Sequence, residues 1–218
     1  MLVVALDSPI ARLADHRFWA HMLQHVLLMM FIAPLIVLGA PWLPFRRALP
    51  LALRRIVVHA RPLGWIARPI PAFVVFNADV GLWHVPYFYD LTLRSAAVHF
   101  VEHASFLVFG VLFWAQVIDS PPVHARLQPF ARAIYATAAS ATTWVLALVL
   151  ALATTPIYPA QHPGHSGISA LADQQIAAGV MIGPGSVPYA IVVFYWLYVW
   201  LGADEPRKRR RLRHAPVS

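Results

Sequence analysis

Four apolar runs, near positions 19–40, 97–118, 131–153 and 174–201, dominate this chain and limit what it can fold into. A helix needs roughly 20 predominantly apolar residues to cross the hydrocarbon core of a bilayer, and each run has about that length. A fifth and weaker run lies near 70–89, opened by Pro69 and Pro71 and interrupted by Pro86. Because membrane helices tolerate proline better than soluble ones do, this run reads as a kinked helix. Of the 218 residues, 60% are hydrophobic and only 12% charged, and the mean hydropathy is +0.63, well outside the usual soluble mixture. The predicted fold class is all-α, a polytopic transmembrane helical bundle of about five spans.

Charge gives this bundle an orientation, since Lys and Arg close to span ends favour the cytoplasmic side. Fourteen of the 17 basic residues fall in three stretches: Arg46 to Arg68, the pair Arg126 and Arg132, and Arg207 to Arg213. These alternate with stretches that hold only Arg12, Arg17 and Arg94, and positions 154–173 carry no Lys or Arg. The pattern predicts a multi-pass protein of a bacterial plasma membrane with its amino-terminal segment outside and its carboxyl end inside. Residues 1–206 read as a single transmembrane domain and residues 207–218 as a basic cytoplasmic tail. Positions 43–61, which mix Leu, Ile and Val with Arg46, Arg47, Arg54 and Arg55, read as an amphipathic helix in the cytoplasmic interface. A net charge of +8 is then explained by topology and anionic lipid, and no nucleic-acid partner is expected.

In this topology the polar residues of four segments meet at the outer end. His21 and His25 open the first span, His84 lies near the end of the second, His99 and His103 open the third, and Asp173, Gln174 and Gln175 open the last. Residues three and four apart share a helix face, so His21, Gln24 and His25 form one stripe and His99, Glu102 and His103 another. Two imidazoles one turn apart can clamp one ion, and an anionic Glu102 is far easier to keep in an apolar setting beside a cation than alone. The expected metal ligands are His21, His25, His99 and His103, with His84 and Glu102 next and Asp173 and Gln174 in support.

Plainer readings weigh against several other residues. Met22, Met29, Met30 and Met181 could favour Cu(I), but ordinary packing is the preferred reading. A lone intramembrane histidine is more often a hydrogen-bonded packing residue than a ligand, and it is the paired spacing that sets His21, His25, His99 and His103 apart. His59 and His124 read as solvated cytoplasmic residues, His16, His162 and His165 as exposed outer ones, and His214 as part of the tail. Asn77 and Asp79 lie inside the second span; Asp79 is either a relay or partner for a histidine or a simple interhelical hydrogen-bond acceptor. Gly183, Pro184, Gly185 and Pro188 predict a kink in the last span.

The chain resembles the CtaG-type, or caa3-type, cytochrome c oxidase assembly factors of bacterial membranes. The matching pieces are His21-Met22-Leu23-Gln24-His25 with Ala33-Pro34 and Leu38-Gly39-Ala40-Pro41, then Trp83-His84-Val85-Pro86 with Tyr89-Asp90, then His99-Phe100-Val101-Glu102-His103 with Phe113-Trp114 and Asp119, then Tyr158-Pro159. The last is Leu171-Ala172-Asp173-Gln174-Gln175 with Met181 and Pro184-Gly185. Residue 182 is Ile where the family tends to show Trp. The resemblance implies a copper-binding protein, with a copper ion as its cargo, that helps to mature a haem-copper oxidase from the outer side. Its implied partners are cytochrome c oxidase subunits, a periplasmic copper donor and membrane lipid. Family members generally carry further helices before the first histidine motif, so the apolar Met1 to Leu6 read as the end of an upstream helix or of a shortened start.

The chain has no cysteine, which excludes disulfides and thiol catalysis and suits a His and Met site facing an oxidising compartment. No catalysed reaction is expected. The rival reading is a membrane-embedded zinc metallohydrolase, because His99-x-x-Glu102-His103 has the order of the inverted zinc-peptidase motif. A haem-binding cytochrome is a weaker rival, since one-turn histidine spacing suits two stacked haems poorly.

Overall fold

The computed structural model describes residues 13–14, 17–39, 61–121, 125–158 and 167–213, and the side chains of these except 61–63 and 203–213. The expected interfacial helix at 43–61 falls almost wholly outside these residues, as do His16, His59, His124, His162, His165 and His214. Among the described residues the protein is all-helical, a bundle as the apolar runs predict. We number the helices α1 (Phe18–Leu38), α2 (Arg61–Ile66), α3 (Pro69–Trp83), α4 (Pro86–Arg94), α5 (Ala96–Trp114), α6 (Pro129–Leu152) and α7 (Ala170–Arg213). Four of them, α1, α5, α6 and the Ala170–Gly202 part of α7, are long and apolar enough to cross a membrane. Helix α7 runs on through the basic stretch Arg207 to Arg213.

The weaker second run differs from a kinked helix. α3 has 15 residues, about 22 Å at the helical rise, and stops at Trp83. Proline disfavours the helical region for the residue before it, and Val85 is accordingly extended (ψ 127°), with Pro86 starting the separate α4. The two-residue gap leaves His84 as the carboxyl-terminal cap of α3.

The interior of α1 carries a second irregularity with an identifiable cause. Leu27–Ile32 widen into a π-turn in which the Ala33 N–H bonds the Leu28 carbonyl. In that register the next donor would serve the Met29 carbonyl, but residue 34 is proline and has no N–H. The Trp114 indole N–H fills the vacancy, donating to the Met29 oxygen at 2.7 Å. This bond lashes the end of α5 to the middle of α1, and helix α5 crosses closely there: a Cβ on Gly110 would stand 3.1 Å from the Ala33 Cβ.

α5 packs on α3 and on the deeper half of α1, α6 pairs with α7, and α7 lies along α1. Phe76, Phe106, Phe113, Trp114 and Tyr189 fill the core between them. The outer surface is apolar too: Ile70, Phe100, Phe194 and Tyr198 are each more than 70% exposed, the inverse of a soluble protein and what lipid contact requires. At the end away from the histidines, Arg132 holds Asp119 in a bidentate pair (2.7 and 3.2 Å) and stacks over Trp196 at 4.1 Å.

Candidate metal centre

Backbone direction brings the histidine-bearing ends together. α1, α5 and α7 begin, and α3 and α6 end, at the same end of the bundle, as the bonds among Phe18, Asp173, Leu150 and Gln174 and the approach of Glu102 to His21 and of His84 to His25 show. The first turn of α1 has no side-chain cap of its own, because residue 17 is arginine. Asp173 of α7 supplies it, its two carboxylate oxygens accepting from the backbone N–H groups of Phe18 (3.1 Å) and Trp19 (3.0 Å). A carboxylate at a helix amino terminus satisfies orphan donors and meets the positive end of the helix dipole. Gln174 closes the same corner: its amide donates to the Leu150 carbonyl (2.9 Å) and its oxygen accepts from the Ile157 N–H (2.7 Å). Both side chains are occupied by backbone partners and stand outside the ligand cluster. In this arrangement they seat α1 against α7 and the 153–158 connection, in support of the histidine stripe rather than within it.

With α1 seated, its stripe faces that of α5. Glu102, with none of its surface exposed, inserts between the α1 histidines, Oε2 at 3.6 Å from His21 Nε2 and Oε1 at 3.5 Å from His25 Nε2. His99 and His103 bring their Nε2 atoms to 3.1 Å, while the His21 and His99 rings stack at 5.2 Å. Two sets of ligand atoms, His21–His99–Glu102 and His25–Glu102–His103, each lie within 4.8 Å of one another. Two nitrogens bound at 2.0–2.1 Å to one tetrahedral ion are about 3.3 Å apart, close to the 3.1 Å between the His99 and His103 Nε2 atoms.

The electrostatics point the same way. Both Glu102 oxygens, His21 Nε2 and both His25 ring nitrogens are buried without a hydrogen-bond partner among the described residues. Buried polar atoms are nearly always satisfied, and an isolated carboxylate in an apolar interior is among the most expensive groups a protein can hold. A cation coordinated by these atoms would balance the carboxylate charge and use the nitrogen lone pairs at once.

His84 stands at the edge, its ring 6.5 Å from that of His25 and outside both ligand sets. Its Nδ1 lies 2.7 Å from the Val80 carbonyl, which can only accept, so Nδ1 carries the proton and Nε2 keeps a lone pair. That Nε2 is buried and unpartnered. Asp79 serves the scaffold with one oxygen: the Trp83 indole N–H lies 3.0 Å from Asp79 Oδ1 and 2.9 Å from Ser105 Oγ, which itself donates to the Glu102 carbonyl. The helix bearing Glu102 is thereby tied to α3. Asn77 donates to the Phe73 carbonyl and accepts from Thr142.

An aromatic cover was not assigned from the residues. Phe18 stacks on Tyr158 (4.7 Å) and meets Tyr89 edge-on (5.3 Å), and Tyr89 lies edge-on to His21 (5.3 Å). The Tyr158 hydroxyl donates to the His84 carbonyl. With Phe106 packed beneath His25 at 4.6 Å, these rings leave the half-buried His99 as the most accessible of the five cluster residues. Tyr89 and Tyr158 are among the motif residues quoted above, but nothing in their spacing signals that they meet.

A family profile described as cytochrome c oxidase caa3 assembly factor (Caa3_CtaG) matches residues 1–203. The chain belongs to this caa3 assembly-factor family. Uncharacterized proteins of Mycobacterium bovis and Mycobacterium tuberculosis are each 27% identical to it over 229 residues, and one of Mycobacterium leprae is 25% identical over 232. Each alignment takes in 98% of this chain and 34% of the relative, so the chain spans about a third of the length of these curated relatives. No solved structure matches. The residues by which the chain resembles the family in sequence, His21, His25, His84, His99, Glu102 and His103, form the cluster and its edge.

Proposed function

We propose that this caa3-family protein is a copper-binding assembly factor of a bacterial plasma membrane. It holds copper among His21, His25, His99, Glu102 and His103 and helps to insert it into a haem-copper cytochrome c oxidase from the outer side. The observation that carries this reading is the fully buried Glu102, its oxygens without hydrogen bonds and enclosed by imidazoles, an arrangement whose cost a bound cation removes. Only Arg12, Arg17 and Arg94 fall in the sequence stretches on the histidine side, against fourteen Lys and Arg in the others, which supports its outward placement. Copper is cargo here and no reaction is catalysed. The partners are then an oxidase subunit that accepts the ion, a periplasmic donor that delivers it, and lipid around the apolar belt.

The zinc-hydrolase reading gains no comparable support. There the glutamate must be left to activate water, whereas Glu102 is enclosed and within salt-bridge distance of both α1 histidines.

Copper analysis of the purified protein tests the proposal. The expected result is copper co-purifying with the wild type and lost from the His21→Ala, His99→Ala double variant. Equal copper in both would overturn it, and zinc accompanied by a hydrolytic activity that Glu102→Gln abolishes would replace it with the rival.

A further inference from the structure

Four of the five methionines in the chain line one cavity. Met22, Met29 and Met30 come from α1 and Met181 from α7, and His25 and His84 complete the polar part of the wall. The space is small, ≈ 20 Å³, sufficient for one water or one ion but not for an organic ligand. Taken one at a time, each methionine is adequately explained as flexible filling. Together they do not fill the space, and the His84 imidazole borders it. His84 is 7% exposed, its Nδ1 is committed to the Val80 carbonyl, and its Nε2 has no partner.

The donor chemistry of this cavity differs from that of the Glu102 cluster. Among the described residues no carboxylate lines it, and its one hydroxyl, that of Thr143, donates to the Ala139 carbonyl at 3.1 Å. A hard divalent ion would find no compensating charge there and a single hydroxyl oxygen, far short of the oxygen shell it requires. Thioethers with an imidazole are the ligand set of a soft monovalent ion. The two places share a wall, because His25 approaches Glu102 with Nε2 at 3.5 Å and also borders the cavity.

We propose that this cavity is a second metal site, selective for Cu(I) and its analogue Ag(I), with ligands drawn from Met22, Met29, Met30, Met181 and His84 Nε2. The inference rests on the copper reading for its biological cargo but not for its ligand chemistry. One ion held here lies next to the cluster, so the protein has adjacent seats for a harder and a softer form of its cargo.

The test uses the full chain in detergent micelles, with Ag(I) as the probe because it undergoes no redox change. X-ray absorption at the silver edge is expected to show sulfur in the first shell. With no cysteine in the chain, that sulfur can only be methionine, and Met22→Leu with Met181→Leu should reduce it. Replacing all four cavity methionines by leucine, which nearly conserves volume, should weaken Ag(I) binding at least tenfold and leave the Cu(II) electron-paramagnetic spectrum of the histidine cluster unchanged. The His21→Ala, His99→Ala variant should retain the silver–sulfur signal while losing the Cu(II) spectrum. A wild-type silver shell without sulfur, or equal Ag(I) affinity in the four-leucine variant, overturns the proposal. Should that variant not fold, the wild-type absorption spectrum decides alone. Sulfur-ligated silver in a protein that never binds Cu(II) would uphold the cavity and defeat the cluster reading.

Discussion

Asp173 caps a helix to which it does not belong: its carboxylate receives the first N–H groups of α1 at Phe18 and Trp19, across 155 and 154 residues of sequence. The cap lies one turn from His21, so the stripe that faces Glu102 depends on it. Asp173→Ala should cost about 1–2 kcal/mol and reduce copper retention together with the melting temperature. Asp173→Asn keeps an acceptor but no charge, and should fall between alanine and wild type in thermal unfolding. An alanine variant as stable and as copper-rich as wild type would remove the cap from the account.

Glu102 is costly to the empty protein and useful to the loaded one. Glu102→Gln should therefore leave the metal-free melting temperature unchanged or raised, because a fully buried carboxylate whose oxygens accept no hydrogen bond among the described residues is removed. The same change should shrink the stabilisation on adding copper, which grows with the ratio of free metal to its dissociation constant. Calorimetric scans with and without copper separate the two effects. A variant destabilised without metal and stabilised by it as much as wild type would contradict the argument.

Trp114 serves the carbonyl of Met29 that Pro34 leaves without a donor. Trp114→Phe should cost about 1–3 kcal/mol, the usual penalty for stranding a buried acceptor. In a Pro34→Ala background the restored N–H can take over the carbonyl, so the same change should cost less. The coupling energy of this double-mutant cycle is the quantity to measure, and a value of zero would separate proline from indole.

Gly110 sets the distance between the two histidine-bearing helices. A methyl there would press on Ala33, 3.1 Å away, so Gly110→Leu should overpack the crossing by about 1–3 kcal/mol. By displacing α5 from α1 it should also lower copper retention. Ala33→Gly should partly restore both properties, with copper content and melting temperature read on the same samples.

Arg132 tests independence of the two ends. Lysine cannot reproduce the bidentate grip on Asp119 or the stacking on Trp196. Arg132→Lys should lower the melting temperature while copper retained per folded chain stays at the wild-type level. A parallel loss of copper would show that the far end governs the cluster.

Much of this protein is legible without coordinates. Spans follow from apolar length because a bilayer is a solvent of fixed thickness. The pairing of His21 with His25 and of His99 with His103 follows from helical periodicity, and alternating span direction brings both pairs to one end of the bundle. Each of these is a local or one-dimensional property of the chain.

What the chain alone leaves open are contacts between distant segments. Asp173 and Gln174 look like ligands in sequence because they are polar and lie at the right end; only the packing of α7 on α1 commits them to backbone groups. His84 reads as one more candidate until the break before Pro86 turns its Nδ1 onto Val80 and sets the residue at the edge of the methionine-lined cavity. The aromatic cover of Phe18, Tyr89 and Tyr158 likewise has no signature in spacing, since α1, α4 and the 153–158 connection supply it separately, and although Met22, Met29 and Met30 all come from α1, only packing brings Met181 of α7 to them. Periodicity decides which face of a helix a side chain occupies, but which neighbour that face meets is set by the joint packing of all the helices, and that is a property of the folded bundle alone.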